Sequence, residues 1–230
     1  MDYDKNPPVE VSRYREMQKA MPGVEALYRL MLAQLEVALP EGGHVLVVGA
    51  GGGREVEALS NSTVPFRIMG VDPSGEMLDI ARWYADQSAR NDDAKLIQGT
   101  TADIKTPAEG FDAATSLLVM HFLAADDSEN GKAAYLRAIR ERLKPGALLI
   151  HADVSFDDEK ELGAISPIFQ RHAILSDLDG EQMAAGADMM ATLPIISPAR
   201  TETLLEENGF KKPSLFFKSL WYHAWVAKAV

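Results

Sequence analysis

The 230-residue chain contains no cysteine, which removes disulfides, thiolate nucleophiles and cysteine-ligated zinc from consideration. Positive charge is scarce: 23 Lys and Arg stand against 34 Asp and Glu, for a net charge of −11 and a pI near 4.9. Such an excess opposes non-specific binding to phosphate backbones and anionic membranes, so neither nucleic acid nor a membrane is an expected partner. No apolar run is long enough to span a bilayer, and the polar opening Met1-Asp2-Tyr3-Asp4-Lys5-Asn6-Pro7-Pro8 lacks the marks of a secretion signal; the expected location is cytoplasmic. Neither H-x-x-x-H nor H-E-x-x-H occurs, so no metal site is expected. Repeats, low-complexity tracts and obvious linkers are missing too, and the length suits one α/β domain over residues 1–230 with a sizeable core.

What is present is concentrated at residues 45–57. Val45 to Val48 read as a strand buried on both faces, and the turn Gly49-Ala50-Gly51-Gly52-Gly53 follows at once. Glu55-Val56-Glu57-Ala58-Leu59 then opens a helix with acids in its first turn, where the dipole favours them. Strand, glycine turn and helix begin a nucleotide-binding βαβ unit: glycines let a ligand approach the backbone, and the helix start presents free N–H groups. The dinucleotide fingerprint G-x-G-x-x-G fails, because the sixth position is Arg54 when counted from Gly49 and Val56 when counted from Gly51. The spacing that remains is G-x-G-x-G at Gly49, Gly51 and Gly53. A purely structural corner between strand and helix is still open on this turn alone.

Further along, strands alternate with helices. Phe66–Val71 is a second strand ending at Asp72, about 20 residues past the glycine turn, and a helix follows from Gly75 to about Ser88. A carboxylate at that tip accepts hydrogen bonds from both hydroxyls of a ribose; the alternative for Asp72, before Pro73-Ser74, is a helix N-cap. Met77 suits either an adenine face or the core. Lys95–Gln98 is a third strand, Phe111–Met120 contains a fourth, a helix covers about Lys132 to Leu143, and Ala147–Asp153 is a fifth strand. Before the glycine turn a helix runs from about Val24 to Ala38, and after the fifth strand residues 163–196 read as one or two inserted helices. A last helix, Ala199 to Asn208, precedes two closing strands at Leu215–Phe217 and Trp221–Ala227. The alternation argues for a doubly wound, mostly parallel sheet of seven strands, the last antiparallel.

Five segments in order resemble the class I S-adenosylmethionine-dependent methyltransferases, a Rossmann-like family. The glycine turn resembles its first motif. Val71-Asp72-Pro73-Ser74 with Met77-Leu78 resembles V-D-x-S-x-x-M-L, and Gly99-Thr100-Thr101-Ala102-Asp103-Ile104 sits where G-D-A-x-D-L is common. Phe111-Asp112 matches the F-D that opens the fourth strand, and Leu143-Lys144-Pro145-Gly146-Ala147-Leu148-Leu149 resembles L-K-P-G-G-x-L. The resemblance implies S-adenosyl-L-methionine as cofactor, with Gly49, Ala50, Gly51 and Gly53 beside its methionine part and Asp72 with Pro73 at the ribose. It implies Met77, Thr100, Thr101 and Ala102 at the adenine and Leu117 under the sulfonium. It further implies that residues 1–40 form a helical cap, with Tyr3 and Tyr14 as pocket contacts, and that the insertion at 156–200 forms a substrate lid or else packs as core. Two positions depart from the pattern: Val47 stands where an acid usually helps position the methionyl ammonium, and Thr100 where an Asp usually meets adenine.

Methyl transfer needs nucleophile, carbon and sulfur held in line, and a general base only when the nucleophile must lose a proton. Of the five histidines, His121 and His151 fall near the carboxyl edge of the sheet, and His121 is the candidate base; Asp153 is a candidate substrate contact. The expected function is methyl transfer to a small organic acceptor with an apolar body. The alternative is a non-catalytic S-adenosylmethionine binder, or a relative of the carboxymethyl-transferring tRNA wobble-uridine enzymes and their cofactor synthases, which Met21-Pro22-Gly23 and the aromatic C-terminus resemble. Against that relative, Val24 replaces its Tyr after Pro-Gly, and no arginine lies between Arg171 and Arg200 to bind a carboxylate on the cofactor.

Overall fold

The computed structural model describes residues 14–88, 93–125, 128–179, 186 and 188–230. The apolar run before the glycine turn lies in β1 (Gly43–Val48), where Val45, Leu46 and Val47 are fully buried. A strand can lose both faces to the core only in mid-sheet, and β1 is flanked by β2 (Phe66–Asp72) and β4 (Phe111–Leu117), both parallel to it. With β3 (Ala94–Gln98), β5 (Leu143–Val154), β6 (Ser214–Ser219) and β7 (Tyr222–Lys228), the order is β3-β2-β1-β4-β5-β7-β6. β7 runs antiparallel to both of its neighbours, β5 on one side and β6 on the other.

Helices cover both faces. On one, Leu27, Met31 and Leu35 of α2 (Val24–Ala38), Val56 of α3 (Arg54–Ser60) and Leu78 of α4 (Gly75–Asp86) pack on Val45, Val47, Ala113 and Ile150. On the other, α5 (Lys132–Arg140) and α7 (Pro198–Glu207) set Leu136, Ile139, Leu204 and Leu205 against Leu46, Ala114 and Leu149. The strand order reverses between β1 and β4, which opens a crevice beyond the carboxyl ends of these strands. Above the end of β5, α6 (Glu159–Leu175) buries Leu162, Phe169 and Ala173 against Val154, Trp221 and Ala20. Ala20 closes the short N-terminal turn that follows α1 (Tyr14–Met17), so the expected cap and the expected insertion meet in one apolar cluster. Residues 180–185 and 187 of that insertion, and Tyr3, lie outside the described residues.

Among the boundaries that differ from the sequence reading are the end of α5 and the start of α7. The helix expected to reach Leu143 stops at Arg140, and Leu143 already pairs with Phe111 as the first residue of β5. Lys144, Pro145 and Gly146 then bulge out of the ladder before Leu148 pairs with Ala113; proline is tolerated there because a bulge asks nothing of its missing N–H. The last helix starts one residue early, with Pro198 in its first turn and Ser197 as N-cap accepting from the Arg200 N–H.

The acid of Phe111-Asp112 ties three strand starts together. Asp112 Oδ2 accepts the His44 N–H at 2.9 Å, and Oδ1 accepts from Lys144 Nζ at 2.7 Å. Burial pushes this carboxyl up, but the Lys144 ammonium and the His44 N–H outweigh burial and hold it below the ordinary value. A depressed carboxyl stabilises the fold above its unfolded pKa, and that contribution is lost as pH falls through the folded one. Asp112→Ala is therefore expected to cost about 1–3 kcal/mol at neutral pH in denaturant unfolding, with the gap to wild type closing in acid.

Candidate functional site

The glycine turn leaves β1 and folds back under the carboxyl end of β2. Gly49 and Ala50 both donate to the Val71 carbonyl, at 2.9 and 3.0 Å. Asp72 joins this turn to the next helix: Oδ2 accepts the Gly51 N–H and Oδ1 the Ser74 N–H, each at 2.9 Å. The N-cap of α4 is Ser74, whose hydroxyl accepts the Met77 N–H, so capping falls to the serine and Asp72 is turned toward the crevice side of the glycine turn. A Cβ at Gly51 would stand 2.7 Å from Asp72 Oδ2 and 2.8 Å from Met77 Cβ. Only glycine lets backbone, carboxylate and methionine converge there, and this convergence is the cradle that a nucleoside needs.

The N-terminal residues close on the same turn. The Tyr14 ring lies against Gly52, and Arg15 donates from Nε to the Gly52 carbonyl at 2.8 Å and from Nη1 to Glu57 at 2.7 Å. The Arg15 guanidinium also stacks over Tyr84, 3.5 Å from its centroid. Burial, then Glu55 and Asp72, push the Tyr14 phenol up to about 12, so it stays a neutral hydroxyl in the physiological range.

Beyond β3, Thr100 caps a short turn at Thr101–Asp103. Its hydroxyl donates to Asp103 Oδ2 and accepts the Ala102 N–H, while Asp103 accepts the Thr100 N–H at 2.8 Å. With its hydrogen used inside the turn, the Thr100 hydroxyl retains acceptance for an adenine edge. Thr101 is buried and Ala102 exposed. Beyond β4, Leu117 is buried in the core on the α2 side. Leu118 has φ +61, and a branched residue held in the left-handed region costs about 1–2 kcal/mol. Strain of this kind persists where the surroundings over-determine it, often at sites. Val119 then meets Gly49, completing the rim.

Two residues past Val119, His121 sits on a short turn at Met120–Phe122 with its ring buried. Its Nδ1 contacts Oδ1 of buried Asp153, from the tip of β5. A carboxylate can only accept, so Nδ1 carries the hydrogen of this contact, and Nε2 is the ring nitrogen not engaged in it. Lys132, fully buried at the start of α5, donates to the carbonyls of Met120 at 2.8 Å and Leu123 at 2.5 Å and so fixes the turn that carries His121. Burial brings this ammonium down to about 8, against the pull of Asp153. The other carboxyl-edge histidine is placed differently. His151 is enclosed in β5 between the Ser116 hydroxyl, 3.4 Å from Nδ1, and the stacked Trp225 ring, where burial lowers its pKa. It is part of the packing on the α5 face.

Three groups escaped the sequence reading in these roles. The pairing of His121 with Asp153 joins residues 32 apart, and no local pattern announces it. Lys132 carries no motif. Glu55 was taken for a dipole acid, but it is buried and donor to nothing, its Oε1 accepting the Thr115 hydroxyl at 3.0 Å. Its place four residues before buried Leu59 is the helical spacing that marks an inward face.

Comparison with known proteins agrees with this geometry. Residues 45–146 match a family described as a methyltransferase domain. Residues 45–146 thus carry a methyltransferase domain. The cofactor of that family is S-adenosylmethionine, and the cradle at Gly51, Asp72 and Met77 fits a nucleoside of its kind. Erythromycin 3''-O-methyltransferase of Saccharopolyspora erythraea is 30% identical over 148 residues, 63% of this chain and 46% of that protein. A ubiquinone biosynthesis O-methyltransferase of Cereibacter sphaeroides is 31% identical over 117 residues, 50% of this chain and 43% of that one. The chain thus spans less than half the length of these curated relatives. Among solved structures, a putative O-methyltransferase from Nostoc punctiforme shares the fold, with a TM-score of 0.69 at 18% identity, over 97% of this chain and 61% of that chain. No helix among the described residues is long and apolar enough to cross a membrane.

Asp72 generates the first test of the cradle. Asp72→Ala is expected to weaken S-adenosylhomocysteine binding by about 1.5–3 kcal/mol, which is roughly 10- to 150-fold, through lost charge-assisted bonds. Calorimetry checks it, with circular dichroism to verify that the variant is folded.

Proposed function

We propose that this chain transfers a methyl group from S-adenosylmethionine to a hydroxyl of a small organic acceptor with an apolar body, and that His121 is the general base. The contact between His121 and Asp153 beside the crevice carries the proposal. When bound, the cofactor supplies a methyl group already activated on a sulfonium. Asp72 holds the ribose hydroxyls, and the backbone of Gly49 to Gly53 lies along the amino-acid end. Asp153 accepts from Nδ1–H, which orients the ring and stabilises the imidazolium that forms. Nε2 would take the proton of the acceptor hydroxyl, whose oxygen would receive the methyl group as the carbon–sulfur bond breaks and the cofactor leaves as a thioether. Lys132 keeps the Met120–Phe122 turn in place, so the base does not drift from the crevice.

The acceptor class rests on composition. Residues 163–196 hold one arginine, Arg171, and no lysine. Apolar side chains there include Ile165 and Met190, half-buried beside the cluster of Leu162, Phe169 and Trp221. A surface of this kind shapes itself around an apolar ligand, with methionine supplying adaptability. That two O-methyltransferases are among the relatives supports oxygen as the nucleophile.

Transfer from methyl-labelled cofactor to a panel of small phenols and alcohols tests the reading. His121→Ala and Asp153→Asn are each expected to lower turnover by about 100-fold or more, while S-adenosylhomocysteine affinity stays within about twofold. Undiminished turnover in both variants contradicts the assignment of the base. The acceptor class is tested separately by filter binding to mixed tRNA at about 50 and 200 mM salt. No salt-sensitive binding is expected at micromolar protein; steep salt-dependent binding would contradict the small-molecule reading and favour the tRNA-modifying relative.

A further inference from the structure

Glu55 is the buried acid that the reaction scheme above leaves unused. It sits in the first turn of α3, two residues past the glycine turn, with 5% of its surface exposed. Its one hydrogen bond among the described residues comes from Thr115, and Thr115 is the β4 residue paired with Val47 in the sheet. The carboxyl of Glu55 therefore reaches the same patch of the sheet face that a side chain at position 47 would occupy. Among the described residues no lysine or arginine pairs with it. The titratable groups that face it are Asp72 at the tip of β2, Tyr14 of the N-terminal turn, Tyr28 of α2 and, from across the sheet, Tyr135 of α5. All of these are acidic or neutral. Burial, with Asp72 adding to it, raises the Glu55 carboxyl to about 8.

A carboxyl enclosed without a cation is costly to the fold, and more so as pH rises. Between the unfolded pKa near 4.5 and the folded value near 8, the unfolded chain has lost the proton and the folded chain retains it. Stability attributable to this group therefore declines across that window as pH increases. A glutamine of the same shape would avoid the cost. What glutamine lacks is the ability to become an anion when a cation arrives.

We infer that Glu55 is the seat for the α-ammonium of the cofactor, reaching from α3 to the place beside the glycine turn where Val47 provides no acid. The inference rests on the S-adenosylmethionine reading of the crevice and adds a residue to it. Glu55 is a binding and positioning residue here: by fixing the amino-acid end, while Asp72 fixes the ribose, it sets where the sulfonium between them lies. The ammonium stays protonated, and the proton that Glu55 gives up on pairing passes to solvent. Binding below pH 8 should thus release a proton.

The test compares two nucleosides by calorimetry at pH 7 in phosphate and in Tris, whose ionisation enthalpies differ. S-adenosylhomocysteine carries the ammonium; 5′-methylthioadenosine lacks the whole amino-acid end. Wild type is expected to release close to one proton with the first and none with the second, and its affinity for the first should rise by up to about tenfold per pH unit between pH 6 and 8. Glu55→Gln should bind S-adenosylhomocysteine about 10- to 100-fold more weakly, without the proton release, and bind 5′-methylthioadenosine as wild type does. Without ligand, Glu55→Gln should melt higher than wild type, by a margin that grows from pH 5 to pH 8. The proposal is overturned if wild type binds S-adenosylhomocysteine with no proton release, or if Glu55→Gln keeps full affinity for it. Failure of wild type to bind either nucleoside would overturn the crevice as a cofactor site, and the Glu55 assignment with it.

Discussion

The Asp72 carboxylate is the joint on which the crevice depends. One oxygen holds the Gly51 N–H and the other the Ser74 N–H, so a single side chain fixes the glycine turn against the start of α4. Because Gly51 has no Cβ, the backbone comes close enough for this to happen, and Met77 closes the remaining side. The rest follows from that fixed corner. Val119 can rest on Gly49, which sets the path out of β4, and that path delivers His121 to Asp153. Tyr14 and Arg15 dock on the same turn at Gly52.

Acidic groups predominate around the crevice, and the Arg15 guanidinium at Gly52 is paired with Glu57. Asp72, Glu55 and Asp153 all lie along the carboxyl ends of the central strands, and the nearby buried cation, Lys132, spends hydrogens on two backbone carbonyls. A pocket so arranged discriminates against phosphates and suits a ligand that brings its own positive charge. The chain-wide excess of acid has the same sense, but the local arrangement is the stronger argument, because net charge does not determine where charges sit.

Much of this was legible in the sequence, for a physical reason. The glycine turn, the acid that ends β2, the Lys-Pro-Gly near the start of β5 and the alternation of strands with helices are local patterns, written within a few residues of one another. Their register follows from turn chemistry and hydrophobic period. The pairing of His121 with Asp153, the reach of Glu55 to Thr115 and the burial of Lys132 depend on groups brought together across 32, 60 and 12 positions by the folded chain. Nothing local marks them. Thr100 shows a related limit: it was read as a weaker substitute for an adenine-binding acid, and the structure shows its hydroxyl hydrogen committed to Asp103, a partner visible in sequence only once the turn is known.

The central claim is that the corner built by Asp72 is a nucleoside cradle and that the carboxyl edge of β1 to β5 orders a cofactor along it. A crystal structure with S-adenosylhomocysteine addresses it most directly. The account predicts both ribose hydroxyls on the Asp72 carboxylate and the thioether lying over Leu117, on the side of His121. A ligand bound elsewhere, or seated in the crevice with Asp72 bonded to backbone alone, would contradict it.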